Sequence, residues 1–334
     1  MQPLAGQFGV FHDRHSASGK GPLINDLGSA CFPKRAFNMG LTATDLDLLL
    51  ELRRRNLPIS RITTIGSLSL YLHPRQVAHL RQIIPENRSL AEYRWGDTAD
   101  PILCELTGAT EVVSIDMSDY QGSSIVHDMN MSLAGKRPDI AEQFDLVIDG
   151  GTLEHVFNFP VAVANLMFLV RKGGHVLSAN PANNLCGHGF YQFTPELMYR
   201  MYSGANGFSV DHVILTQSRH MSVEMDPRPK SFNVVDPATL GHRILVRNRW
   251  PVTIRILAER VGDPPPDGLD VQQSDYVIAW SNSSSTKPKS GPKAAMRKVF
   301  HRLPRTWQSR ISDIVTRNTL GNARTMRRWR GTIE

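Results

Sequence analysis

Short β-branched runs alternate with longer amphipathic stretches through the middle of this chain, and that alternation predicts its elements. Thr44 to Arg55 (TDLDLLLELRRR) opens with a Thr or Asp to cap it, then places acids in the first turn and arginines in the last. That is the charge order a helix dipole favours. Pro58 closes the helix, and Arg61 to Gly66 (RITTIG) reads as a buried strand ending in glycine. Two more strands are predicted at Glu111 to Asp116 (EVVSID) and Phe144 to Asp149 (FDLVID). Pro160 opens a further helix that runs to Lys172 and stops at Gly173-Gly174, before a fourth strand at His175 to Ala179. Strands alternating with helices of this length imply right-handed βαβ units and a parallel sheet. Later runs at Asp211 to Thr216, His242 to Val246 and Val252 to Ala258 are strand-like. With no helix between the last two, a hairpin at the sheet edge is expected.

Punctuation divides the rest. Residues 1–40 are a Gly-, Ser- and Pro-rich lead-in, 41–260 the folded domain, 261–292 a linker marked by Pro264-Pro265-Pro266, and 293–334 a basic tail. The longest apolar run, Val156 to Val170, is broken by Asn158, Pro160 and Asn165. It falls short of the roughly 20 apolar residues that a membrane-crossing helix needs. Cys31, Cys104 and Cys186 lack metal-ligand spacing, so reduced thiols, a cytoplasmic location and no structural zinc are expected. The net charge of +7 conceals an asymmetry. From Lys287 onward thirteen basic residues face two acids, which makes that stretch +11 and leaves the remainder at −4.

In doubly wound sheets, ligands sit beyond the carboxyl ends of the strands where the strand order reverses. Four strand ends here carry suitable residues. Gly66 would let backbone approach a ligand closely, and Asp116 could accept both hydroxyls of a ribose. Asp128 could accept from an exocyclic adenine amine, and Asp149-Gly150 could line what lies beyond. A lone Asp after a strand is often only a helix cap; several along one sheet edge point to a ligand.

The segment from Asp145 to His155 (DLVIDGGTLEH), followed by a helix and Lys172-Gly173-Gly174-His175, resembles class I S-adenosylmethionine-dependent methyltransferases. Ser114 to Tyr120, His127 to Asn130 and Gly187 to Phe193 (GHGFYQF) are similar to a subgroup of that family. The likeness spans roughly Ile62 to Phe208. It implies a Rossmann-like α/β fold with an antiparallel edge hairpin, and S-adenosylmethionine as cofactor. The cofactor-binding set it implies is Gly66, Ser67, Asp116, Met117, Asp128, Met129, Asp149 and Gly150. One stretch departs from the pattern: Thr64-Ile65-Gly66-Ser67-Leu68 has a single glycine and no acid where the family has an acid and three spaced glycines. A non-catalytic member of the fold is therefore the rival reading. A nicotinamide-dependent enzyme is disfavoured by the missing glycine fingerprint.

Methyl transfer is an in-line displacement, so alignment matters most, and a hydroxyl acceptor needs a base. His155, His188 and Tyr191 are the candidates on the acceptor side, histidine because it titrates near neutrality. Glu154-His155 has an alternative reading as a helix cap, and Tyr191 as packing. The expected acceptor is an oxygen, or secondarily a nitrogen, of a small molecule or glycan precursor. Ala294 to Arg330 mixes basic and apolar residues around Pro304 as an interrupted amphipathic helix. Tryptophan among arginines favours an anionic membrane surface or docking on protein, its own body or a second subunit, over nucleic acid. Oligomeric state is not legible.

Overall fold

The computed structural model describes residues 40–333 apart from 85–87, 120–121, 266–267, 282–298 and 317–318. Residues 1–39 of the lead-in and the part of the predicted linker after residue 281 therefore lie outside the described residues, while the linker's residues 274–281 form a helix.

The first half of the fold is β1 (Gly40–Thr42), α1 (Ala43–Arg54), β2 (Arg61–Ile65), β3 (Ser69–Tyr71), α2 (Pro74–Ile83), α3 (Ser89–Glu92), α4 (Asp100–Thr107), β4 (Glu111–Asp116) and β5 (Ile125–Val126). The second half is β6 (Phe144–Asp149), α5 (Phe159–Leu169), β7 (Val170–Asn183), α6 (Pro195–Met201), β8 (Phe208–Gln217), β9 (Lys230–Val234), α7 (Pro237–Leu240), β10 (Val252–Arg260) and α8 (Ser274–Ser281). A tail helix, Arg305–Thr316, and β11 (Met326–Arg328) follow.

Among the described residues, nine strands form one sheet in the order β11-β9-β8-β10-β7-β6-β2-β4-β5. From β7 to β5 every pairing is parallel, and β10, β8, β9 and β11 add antiparallel pairings at the other side. The chain runs outward from β2 through β4 to β5, then returns to β6 and β7 on the opposite side. Strand order thus reverses between β2 and β6. That is where a doubly wound sheet places its crevice.

Period-two alternation splits the core across the two sheet faces. Leu146, Ile148, Leu177, Ile214 and Leu257 join one cluster with the leucines of α1 and α4. Val147, Val176, Val213, Leu215 and Ile256 join another with α5 and α6. Helix α1 is buried along nearly its whole length. Its cap is Thr42, two residues before the expected start: the Thr42 amide and hydroxyl both donate to Asp45 at 2.8 Å. Asp45 in turn meets Arg255 of β10 in a fully buried pair, Nε to Oδ1 at 2.7 Å. This pair ties β1 and α1 to the middle of the sheet.

Three expectations need correction. His242 to Val246 is not a strand; Asn183 donates to the Val246 carbonyl, and Arg247 exchanges hydrogen bonds with Thr319. Side chains and a loop thus take up backbone groups that a strand partner would use. Val252 to Ala258 is accordingly not half of an edge hairpin but an interior strand between β7 and β8, and β9 and β11 form the antiparallel edge. The helix from Pro160 stops at Leu169, not Lys172, because Arg171 reaches Asp145 and Gly173 turns with φ +78°.

The last residues of the tail belong to the body. Met326–Arg328 pair with β9, and the Thr332 and Ile333 amides donate to Asp47 of α1 at 2.6 and 2.8 Å. Trp307 of the tail helix is exposed. No helix among the described residues is long and apolar enough to cross a membrane.

Candidate functional site

The carboxyl ends of β2, β4, β5, β6 and β7 share one edge of the sheet, and the residues predicted for a site are distributed along it. At β2, Gly66 adopts φ +83°, and its amide donates to Ile115 of β4 at 2.7 Å. The chain then runs through the half-buried Ser67 into β3, which pairs with β1. As a result Leu68 is fully buried. Its Cδ2 lies 2.8 Å from where a Cβ on Gly150 would stand, with Leu41 of β1 3.5 Å from the same point. The Gly40 amide donates to the Gly150 carbonyl at 3.1 Å, which closes this arrangement. The crevice between β2 and β6 is filled by Leu41 and Leu68, and a Cβ at position 150 would press on the end of the Leu68 side chain.

Toward β5 the edge is more open. Asp116 is half-buried and its Oδ1 accepts the Met117 amide at 2.6 Å, with the Met117 side chain exposed. Asp128 Oδ1 accepts from the Asn130 amide and side chain at 2.9 and 2.8 Å. These bonds hold its carboxyl below the usual range. Asn130 passes the constraint on, because its Oδ1 accepts the Asn158 amide at the entrance to α5. Met129 is buried in the core, so its side chain packs and does not line the edge.

Asp149 ends β6 but turns inward. Ser178 and Asn180 of β7 donate to its Oδ2 at 2.6 and 2.8 Å, and the Thr152 and Leu153 amides to its Oδ1. Burial, reinforced by the charge of Glu154, pushes it up to about 6. A carboxylate with four internal donors and no exposed surface is a fastener between β6 and β7. The cofactor-lining role read from the sequence does not fall to it.

The polar centre of the edge is Glu154, which sequence reasoning treated only as a helix cap. It lies in a one-turn 3-10 helix, Leu153–His155, and its side chain is buried. Asn180 Nδ2, already bonded to Asp149, also donates to Glu154 Oε2 at 3.1 Å. The other oxygen, Oε1, faces His188 Nε2 at 3.2 Å and His155 Nε2 at 3.9 Å. The hydrogen bond to Glu154 raises the His188 pKa. The imidazoles meet edge-on with centroids 5.0 Å apart. Gly189 makes this possible: its φ is +77°, and a Cβ there would lie 2.8 Å from the Glu154 carbonyl, which accepts the Phe190 amide at 2.7 Å.

The structure therefore brings His155 and His188 together around a carboxylate. Tyr191 is placed differently: its hydroxyl donates to the Phe157 carbonyl at 2.6 Å and its ring packs on Phe159. It anchors the loop and offers no proton to the histidines. Phe157 and Phe190 stand exposed beside the cluster in an edge-to-face pair. The signal that could have found Glu154 was present. Adjacent strands β6 and β7 each lead into a segment carrying a histidine, and the acid beside one of them has no reason to be apolar-facing unless it is used.

No family model and no curated protein matches the chain. Solved structures do. The N-methyltransferase NodS from Bradyrhizobium japonicum WM9, in complex with S-adenosyl-l-homocysteine, is 13% identical over 65% of this chain and 85% of its own, at a TM-score of 0.33. The 1,6-didemethyltoxoflavin-N1-methyltransferase from Burkholderia thailandensis, with 1,6-didemethyltoxoflavin and S-adenosylhomocysteine bound, is 13% identical over 65% of this chain and 77% of its own, at a TM-score of 0.34. Likeness at this level says nothing of what this chain binds or does. The sheet, parallel from β5 to β7 and antiparallel from β7 to β11, has the doubly wound, Rossmann-like α/β architecture that the sequence predicts.

Proposed function

We propose that this chain is an S-adenosylmethionine-dependent methyltransferase acting on an oxygen, or a nitrogen, of a small molecule or glycan precursor. One observation carries the reading: Asp116 and Asp128 lie at neighbouring strand ends beside the left-handed turn at Gly66, on the same edge as the Glu154–His155–His188 cluster. Asp116 would accept the ribose hydroxyls, and Asp128, through the oxygen that Asn130 does not occupy, the adenine amine. The cofactor would supply an electrophilic methyl group. His188, held by Glu154, and His155 beside it would orient an acceptor and take its proton, while Phe157 and Phe190 offer it an apolar rim.

The fit is unequal along the edge. The adenosine side has half-buried carboxylates that solvent still reaches, but the methionine side meets Leu41 and Leu68. Those two residues favour a second reading, a methyltransferase-fold module that has lost cofactor binding and serves in assembly. Isothermal titration with S-adenosylhomocysteine separates the two. The enzymatic reading expects saturable heat with wild type and at least a tenfold weaker response in Asp116→Ala. Absence of heat from wild type at high protein concentration overturns it, and heat appearing only in Leu68→Ala identifies the filled crevice as the cause.

A further inference from the structure

We propose that Glu154, His155 and His188 form a binding site for a divalent transition-metal ion. Their donor atoms, one carboxylate oxygen and two imidazole nitrogens, all lie within 4.8 Å of one another. Oε1 of Glu154 is 3.2 Å from His188 Nε2 and 3.9 Å from His155 Nε2. Ligands bound tetrahedrally at the usual 2.0–2.1 Å stand roughly 3.3 Å apart, so small rotations about the side-chain bonds suffice to close the set on one ion. Two imidazoles with one carboxylate suit zinc, iron(II), cobalt or nickel better than the all-oxygen preference of magnesium or calcium.

A plain ion pair explains less. It would need Glu154 and one histidine, whereas here a second imidazole converges on the same oxygen although it is 43% exposed and has water available. One contact of the outer layer that metal ligands require is in place, on the carboxylate. Asn180 holds the far oxygen of Glu154 and so orients the near one toward the histidines. The His155 and His188 amides are fixed by the Thr152 and Leu185 carbonyls at 2.9 Å each, and Gly189 clamps the second loop against the Glu154 backbone. The two ligand-bearing segments follow adjacent parallel strands, which brings them side by side on one sheet edge.

Three protein ligands leave a coordination position open, and the exposure of His155 and His188, 43% and 31%, puts it on the solvent side. That is the arrangement of metal sites that bind a substrate or water. With the histidine nitrogens bound to the ion, an acceptor hydroxyl in the open position would have its pKa lowered by the ion and lose its proton to water, in place of the proton transfer to histidine that the metal-free site would perform. This consequence rests on the methyl-transfer reading. Metal binding itself does not.

The test is a titration of the full chain with cobalt(II) chloride in metal-free buffer, without any S-adenosyl compound, followed by visible d–d absorption and reversed with zinc. One equivalent is expected to bind. His155→Ala and His188→Ala should each weaken binding more than about tenfold, and the double variant should abolish the signal. Cys186→Ser, which removes the exposed thiol next to the loop, should leave the spectrum unchanged. Circular dichroism of the histidine variants checks that they fold. No saturable cobalt signal in wild type, or a signal that survives loss of both histidines, overturns the proposal.

Discussion

Two neighbourhoods a few residues apart on the same sheet edge have opposite character. Over β2 and β6, Leu41 and Leu68 are buried on Gly150, and the space is apolar and closed. Over β6 and β7, a buried carboxylate presents one oxygen to two partly exposed histidines. The first neighbourhood contributes cohesion, because removing apolar surface from water stabilises the fold. The second contributes little cohesion and keeps polar atoms where a ligand can reach them. The comparison teaches that burial along a ligand-binding edge has to be read residue by residue: Asp149 and Glu154 are both buried, yet one is saturated by internal donors and the other is not turned wholly inward.

The sharpest way to break the contrast is to remove what holds β1 in place. Asp45→Ala leaves Arg255 buried without its partner and should cost about 3–5 kcal/mol in urea unfolding. A loss under 1 kcal/mol would mean that the pair does not fasten β1 to the sheet. Next comes the plug itself. Leu68→Ala should cost about 3 kcal/mol through lost burial and a cavity. Gly150→Ala, which forces a methyl against Leu68, should cost about 1–3 kcal/mol. The double variant should lose at least about 1 kcal/mol less than the sum, since the shortened side chain makes room; strict additivity would show that the two do not touch.

A third test moves to the opposite end of β6. Burial raises the pKa of Asp145, but the Ser60 and Arg61 amides it accepts at 2.7 and 2.8 Å and its pairing with Arg171 together outweigh that and hold it below the ordinary value. Its contribution to stability is therefore present above the unfolded-state value of about 3.9 and is lost as pH falls through the lower folded-state value. Asp145→Asn should be less stable at neutral pH and show a shallower fall in acid; parallel stability curves for the two proteins would contradict this. The smallest effect is expected at the open cluster, where His155→Ala should alter unfolding stability by no more than about 0.5 kcal/mol. A loss as large as that of Leu68→Ala would erase the distinction between the two neighbourhoods.

Much of the fold was legible. β4 and β6 match the predicted runs residue for residue, and α1 and β2 differ only at their ends. Each is a local pattern, an apolar period bounded by a cap, a proline or a glycine. The short strands β1, β3, β9 and β11 were not foreseen, because three to five residues without their partners carry no periodic signal. The candidate site was half legible. His155, His188, Asp116 and Asp128 were singled out by their places after strands, whereas Met129 and Asp149 turned inward and Tyr191 toward a backbone carbonyl. Glu154 was underrated because burial of an acid cannot be seen until Asn180, 26 residues away, is brought beside it.

By itself the amino-acid order determined the class of architecture, the helix caps and the set of polar residues available at strand ends, all of which depend on contacts within a few positions. Only the tertiary structure decided which strands became neighbours, that Leu41 and Leu68 close the crevice, and that one acid and two histidines meet. Those outcomes depend on packing between segments up to about a hundred residues apart, where the direction of a side chain follows from the sheet register and not from its own sequence neighbours.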